Sequence, residues 1–233
     1  MSARGTAAVP RCLVIIPDGN RRWARQHGYP VVQGHVTGLR NARTIAEAAL
    51  RFGVEHVVLW AASESNLRKR SAQEVENLFK LLKEELRYQA SRPDESADFH
   101  LCGAWRDFTD DADLIELSRQ AAARNKAHTQ TFTVLFGYSG TTELVRAAQE
   151  AARDGAIDEA SIRAHLWTAH VPDVDLLIRT GVEGDPHWSD LLLPWQMRGT
   201  QLIFSNVLWP AFTVDHLKEA FEDLASRARR AGA

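Results

Sequence analysis

Short apolar runs alternate along this chain with longer stretches whose apolar residues recur every three to four positions. The runs are Leu13–Ile16, Val57–Trp60, Phe99–Cys102, Phe132–Phe136, Leu176–Ile178 and Leu202–Phe204. Most are too continuous for strands wet on one face, and they predict parallel strands covered on both sides. Helical periodicity appears over about Gly38 to Phe52, with Leu39, Ala42, Ile45, Ala46 and Ala49 on one side and Gly53 placed to cap the end. It recurs over about Ala72 to Tyr88, where Val75, Leu78, Phe79, Leu82 and Leu86 form a stripe. Further helices are expected near Asp110 to Lys126, Thr141 to Arg153 and Asp215 to Arg230. Strand and helix alternation of this kind implies an α/β fold with a mainly parallel sheet. With no repeat and no long linker, residues 11–233 read as a single domain behind a flexible N-terminal tail, residues 1–10.

Composition narrows the function classes. Lys and Arg number 28 against 30 Asp and Glu, a formal net charge of −2, so the chain lacks the basic excess of a general nucleic-acid binder. Its two cysteines, Cys12 and Cys102, cannot build a disulfide framework, and a reducing cytoplasm is the expected setting. No apolar run reaches the roughly 18 to 20 residues that span a bilayer, so at most peripheral membrane contact is expected. The opening residues are too short and too weakly apolar for a signal peptide.

In open parallel sheets, ligands bind beyond the carboxyl ends of the strands. There the chain places Pro17-Asp18-Gly19-Asn20-Arg21-Arg22-Trp23, Ala62-Ser63-Glu64-Ser65-Asn66, Gly137-Tyr138-Ser139-Gly140 and Arg179-Thr180-Gly181. The first segment has two readings. One is a plain Asp-Gly turn. The other is an anion site, in which Gly19 lets backbone approach a phosphate, helix-terminal N–H groups donate to it, and Arg21 and Arg22 add charge and forked donors. Asp18 would then hold Mg²⁺ against the same phosphates. This is not a Walker A loop, because the Gly-x4-Gly-Lys-Ser/Thr pattern is missing. Arg179, leaving a buried strand, needs either a structural carboxylate or an anionic ligand. His35, which follows Gly34 and is expected to open the next helix, is a cap, a core histidine or a functional group. Ser63 and Asn66 either cap the helix after the second strand or face a reacting centre. The stripe from Val75 to Leu86 is core or, for a hydrocarbon substrate, the wall of a tunnel.

Together these residues resemble the cis-prenyltransferases, the family that includes undecaprenyl diphosphate synthase. The specific pieces are Asp18-Gly19-Asn20-Arg21-Arg22-Trp23-Ala24, Gly34-His35, Asp175-Leu176-Leu177-Ile178-Arg179-Thr180-Gly181 and Val207-Leu208-Trp209-Pro210-Ala211-Phe212. The resemblance implies six parallel strands ringed by helices, a homodimer, and cis coupling of an allylic isoprenyl diphosphate to isopentenyl diphosphate. It implies Mg²⁺ on Asp18 and an allylic diphosphate cradled by Gly19, Asn20 and Arg22, with His35 assisting and Arg21 and Trp23 among the substrate-binding residues. It places Ser63 and Asn66 near the attacked carbon, and Arg70, Arg179 and Ser189 on substrate diphosphate. Arg230, in a terminal Arg-x-Gly, would complete a neighbouring subunit's site.

The sequence also departs from the family pattern. Val31 and Ser65 stand at an Arg and an acidic position, Leu67 replaces a Trp, and Thr141 follows the Gly-Tyr-Ser-Gly turn in place of an Arg. The stretch Glu183 to Ser189, with His187, lacks a second Arg, and Gln201 replaces a metal-binding Glu. These changes concern mostly the second substrate or its metal, while the allylic side is nearly intact. The expectations are therefore regular condensation, irregular coupling of the lavandulyl type, or terpene cyclisation. A non-catalytic subunit of a heteromeric enzyme is the alternative of another class, and the intact Asp18-Gly19-Asn20 argues against it.

Overall fold

The computed structural model describes residues 9–92, 97–187 and 190–231, the last four by backbone alone. Its strands are β1 (Cys12–Ile16), β2 (His56–Ser63), β3 (Ala97–Cys102), β4 (Gln130–Tyr138), β5 (Leu176–Arg179) and β6 (Gln201–Phe204). They form one sheet in the order β3-β4-β2-β1-β5-β6, every pairing parallel. The α-helices are α1 (Asn20–Gln26), α2 (Val31–Arg51), α3 (Glu64–Lys69), α4 (Ala72–Ser91), α5 (Ala112–Ala122), α6 (Gly140–Arg153), α7 (Glu159–Ala164) and α8 (Val214–Ala231).

The central strand shows why the apolar runs are continuous. Leu13 and Ile15 join one core with residues of α2, α4 and α8, while Cys12, Val14 and Ile16 join a second core on the opposite face with Val171, Leu192 and Leu193. Alternate side chains thus enter two apolar layers, which removes the polar half of the usual strand pattern. The edge strand β6 departs from the expectation of double cover: Gln201 and Phe204 are exposed, because no strand pairs beyond it.

Helix α2 begins at Val31, seven residues before the Gly38 start that its periodicity predicts. Its first turns pack on α1 through Gly34 rather than through large apolar groups, so periodicity could not mark them. His35 consequently lies inside the helix, not at its opening. Gly53 takes a left-handed φ of 100° just past the helix end, as the capping expectation requires. Ser63 accepts a 3.0 Å hydrogen bond from the Asn66 N–H and caps α3, whereas Asn66 sits within that helix. Ser71, Asp111, Ser139 and Asp158 cap α4, α5, α6 and α7 in the same way.

Candidate active site

All six strands point their carboxyl ends to one side, and a cleft of about 940 Å³ opens there. Its floor is the turn after β1. Gly19 has φ 111°, and a Cβ at that position would meet Leu208 Cα at 2.9 Å, so backbone geometry and space both demand glycine. The backbone oxygen of Asp18 accepts from Thr180 Oγ1 at 2.8 Å and from the Trp209 N–H at 3.0 Å. These bonds tie the turn to β5 and to the segment after β6.

The Asp18 carboxylate lies between two arginines, with Arg179 Nη2 at 3.0 Å and Arg22 Nη2 at 3.4 Å. Arg179 is buried and also donates to the His187 backbone oxygen at 2.8 Å. Arg22 donates to Gly181 O and pairs with Glu183 at 2.8 Å. So Arg179 has a structural carboxylate partner, and that partner is itself the candidate metal ligand. Asn20 donates to Pro17 O at 3.3 Å, while its Oδ1 is buried without a hydrogen-bond partner. The N–H groups of the first turn of α1 have no helical carbonyl to bond.

The opposite wall comes from α2, α3 and α4. One oxygen of Glu74 stands 3.2 Å from Arg70 Nη1, 3.6 Å from Arg21 Nη1 and 3.7 Å from His35 Nε2. Arg70 also donates to Asn66 Oδ1 at 3.3 Å. Arg68 instead turns to Glu64 at 2.7 Å, so Arg70 rather than Arg68 is the basic residue of this segment tied to Asn66. Burial, reinforced by the Arg70 charge, lowers the His35 pKa to about 4, which leaves a neutral imidazole at neutral pH.

Of the residues singled out in the sequence, Asp18, Gly19, Asn20, Arg21, Arg22, His35, Ser63, Asn66, Arg70 and Arg179 line this one cleft. Trp23 does not line it. The turn of α1 carries its ring outward, where it stacks on His27 at 4.4 Å between centroids. Ser189 and the Arg230 side chain lie outside the described residues. Lys69 and Glu74, next to the basic and weaker family-like stretches of the sequence, also line the cleft, as do Arg25 and Asp190, which no motif marks. The four-residue spacing of Arg70 and Glu74 was the available signal for one of them.

The departures fall in different places. Ser65 lines the cleft. Leu67 is buried against the sheet. Gln201 opens β6 at the end of the strands opposite Asp18 and is exposed, so within one copy it is no ligand of the cleft.

Beside the cleft, and sharing Pro17, Asn20, His35 and Ala61 with it, lies an apolar cavity of about 90 Å³ between the sheet and helices α2 and α4. From the α4 stripe, Leu78 and Leu82 line it, while Val75, Phe79 and Leu86 belong to the surrounding core. The stripe is therefore core and cavity wall at once.

Among the described residues there is no cluster of three His, Cys, Asp or Glu that would cage a metal. Magnesium typically takes one or two carboxylates and completes its shell with substrate phosphates and water. Asp18, its side chain 41% exposed, and Asp190, which lines the same cleft, fit that mode.

Comparison with known proteins agrees with this geometry. Residues 16–232 match the family model described as "Putative undecaprenyl diphosphate synthase". The chain is 34% identical to an isoprenyl transferase of Nitrosomonas europaea, over 99% of this chain and 89% of that one. It is 36% identical to an isoprenyl transferase of Chlamydia trachomatis, over 97% and 92% respectively. Among solved structures it is similar to the lavandulyl diphosphate synthase of Lavandula x intermedia in complex with dimethylallyl diphosphate, with TM-score 0.83, 29% identity and coverage of 93% and 95%. A cationic cleft beside an apolar cavity, on this sheet and in this sequence company, places the chain in the undecaprenyl diphosphate synthase family of cis-prenyltransferases, as a prenyl-transferring enzyme.

Proposed function

We propose that this enzyme ionises an allylic isoprenyl diphosphate and joins the prenyl cation to isopentenyl diphosphate, releasing pyrophosphate. The observation that carries the reading is the junction at Pro17, Asn20, His35 and Ala61, where a cleft rich in arginine meets an apolar cavity. That is the division an allylic diphosphate has between head and tail. Gly19, Asn20, Arg21, Arg22 and Arg70 bind the leaving diphosphate, together with the free N–H groups of α1. Asp18 would hold Mg²⁺ at that diphosphate, and the ion would supply charge neutralisation for the leaving group.

As the allylic C–O bond breaks, its electron pair leaves with the diphosphate and positive charge spreads over the hydrocarbon. Fixed cations in a partly dry site stabilise the leaving group without reorganising. The double bond of the second substrate then attacks the allylic carbon, and a proton is lost from the new cation. Neutral His35 donates a hydrogen bond to the diphosphate, and its proton affinity rises as that anion binds. Ser63 and Asn66 face the reacting carbon. Arg179 and Ser189 orient the second diphosphate. We place the enzyme in the cytoplasm as a homodimer with Arg230 acting across the interface. Sedimentation at micromolar concentration should then give a dimer, and a monomer alone would remove Arg230 from the mechanism.

A second reading, irregular coupling or cyclisation, is favoured by the missing cations at Val31 and His187 and the missing carboxylates at Ser65 and Gln201. One experiment separates the two. The protein is incubated with Mg²⁺ and dimethylallyl, geranyl or farnesyl diphosphate, with and without isopentenyl diphosphate. Pyrophosphate is followed and products are identified by mass spectrometry. Growth by five-carbon units only when isopentenyl diphosphate is present supports regular elongation. Pyrophosphate release without it, with a branched or cyclic product, supports the second reading. No release under any condition refutes both.

A further inference from the structure

The apolar cavity has a polar boundary. Beyond Gly38 and Ala42 on α2, and Leu78 and Leu82 on α4, its lining includes an ion pair, Arg43 with Glu85. The Nε–Oε2 distance is 2.7 Å, and Glu85 is only 4% exposed. The second Glu85 oxygen accepts from Gln89 Nε2 at 2.7 Å, and the Arg43 guanidinium lies 4.4 Å from the Tyr88 ring centroid. A polar group tied from several sides therefore borders a space otherwise walled by hydrocarbon.

We propose that the Arg43–Glu85 pair, braced by Gln89, is the floor that ends the prenyl tunnel and restricts the enzyme to short chains. The inference rests on the prenyl-transfer reading above. A growing apolar tail that reached the pair would have to separate it or strip its partners, and a buried charge without its partner is strongly unfavourable. The tail stops instead. From His35 to Arg43 is eight residues, about 12 Å along α2. An extended isoprene unit covers about 5 Å, so two to three units fit.

The test uses the full chain with Mg²⁺ and thiolodiphosphate analogues that bind without ionising. Calorimetry compares geranyl, farnesyl and geranylgeranyl analogues. For the wild type, affinity should hold or rise from geranyl to farnesyl and fall at least tenfold at geranylgeranyl. The double variant Arg43→Met with Glu85→Leu removes both charges together. It should bring the geranylgeranyl analogue within about threefold of farnesyl, and should lengthen the longest product by at least one unit. Ala42→Leu, which fills the cavity short of the floor, is a second variant independent of the first. It should weaken farnesyl binding while leaving geranyl binding within about threefold.

Equal wild-type affinity for farnesyl and geranylgeranyl analogues would overturn the proposal. So would an unaltered tail preference in a double variant that melts cooperatively. If the double variant fails to fold, the Ala42→Leu result decides. Analogue binding and turnover without length dependence would reject the floor alone. No binding of any analogue would reject the prenyl-transfer reading, and the floor with it.

Discussion

Replacing Gly34 by Ala tests how the diphosphate-side turn is held. Gly34 lies where α2 crosses α1, and an added methyl would stand 2.2 Å from Asn20 O and 3.0 Å from Ala24 Cβ. A helix carbonyl cannot swing aside as a side-chain tip can, so one of the two helices must move. Overpacking costs about 1–3 kcal/mol, and so short a contact with backbone belongs at the upper end. Alanine recovers about 1 kcal/mol of helix propensity over glycine. The net loss is roughly 2 kcal/mol, or a Tm lower by about 4–8 °C for a chain of this size.

Gly38→Ala is the control on the same helix. Its methyl would meet the Asn20 Oδ1 tip first, at 2.2 Å, and then Trp209 Cδ1 at 3.1 Å. Asn20 can turn away, so stability should stay within about 1 kcal/mol as propensity offsets crowding. Pyrophosphate release should nevertheless fall at least about tenfold, because a group facing the leaving diphosphate has been displaced. Urea titration and thermal melting read the first effect, and a coupled pyrophosphate assay reads the second. A Gly34→Ala protein as stable as wild type, or one more stable than Gly38→Ala, would refute the reasoning.

Three further outcomes are expected. Asp18→Ala should cut pyrophosphate release by about a thousandfold, on the scale of losing a principal charge-stabilising group, with circular dichroism unchanged; an active variant would take Asp18 out of the chemistry. His35 is held neutral in the folded state, so its contribution to stability is complete above about pH 6.5 and is lost as pH falls toward about 4. Wild type should therefore lose more urea stability than His35→Gln between pH 7 and 4.5, and equal losses would contradict the assignment. Glu143→Leu should destabilise by about 3 kcal/mol or more, because Tyr138 Oη, the Thr168 N–H and Thr168 Oγ1 all donate to that buried carboxylate and would be left unpaired. Chemical denaturation measures it, and a loss under about 1 kcal/mol would mean that water replaces the carboxylate.

The legible parts of this molecule share one cause. Strands buried on both faces write themselves as apolar runs, and the residues following Ile16, Ser63 and Ile178 were readable as a site because parallel strands all end on one side. Helices α1, α3 and α7 have seven residues or fewer, too few turns for a periodic stripe. Trp23 lies off the cleft lining for a related reason: its neighbours Asn20 and Arg22 face the cleft, and only the helical turn decides that its ring does not. Glu74, Arg25 and Lys69 could be assigned only once α4, α1 and α3 were seen to flank the cleft. Arg43 and Glu85 are 42 positions apart, and nothing in their separate surroundings announces that they close one cavity.

The strand order also sets a timetable for the ribosome. β1 pairs on one side with β2, complete at Ser63, and on the other with β5, which ends at Arg179. At synthesis rates of roughly 5–20 residues per second, the second edge of β1 waits on the order of 6–25 seconds for its partner. During that wait a hydrophobic strand edge is open to wrong neighbours, and a nascent chain cut before residue 176 keeps it open permanently. The same event that closes the edge delivers Arg179 to Asp18, so the cleft cannot be complete before β5 has joined the sheet.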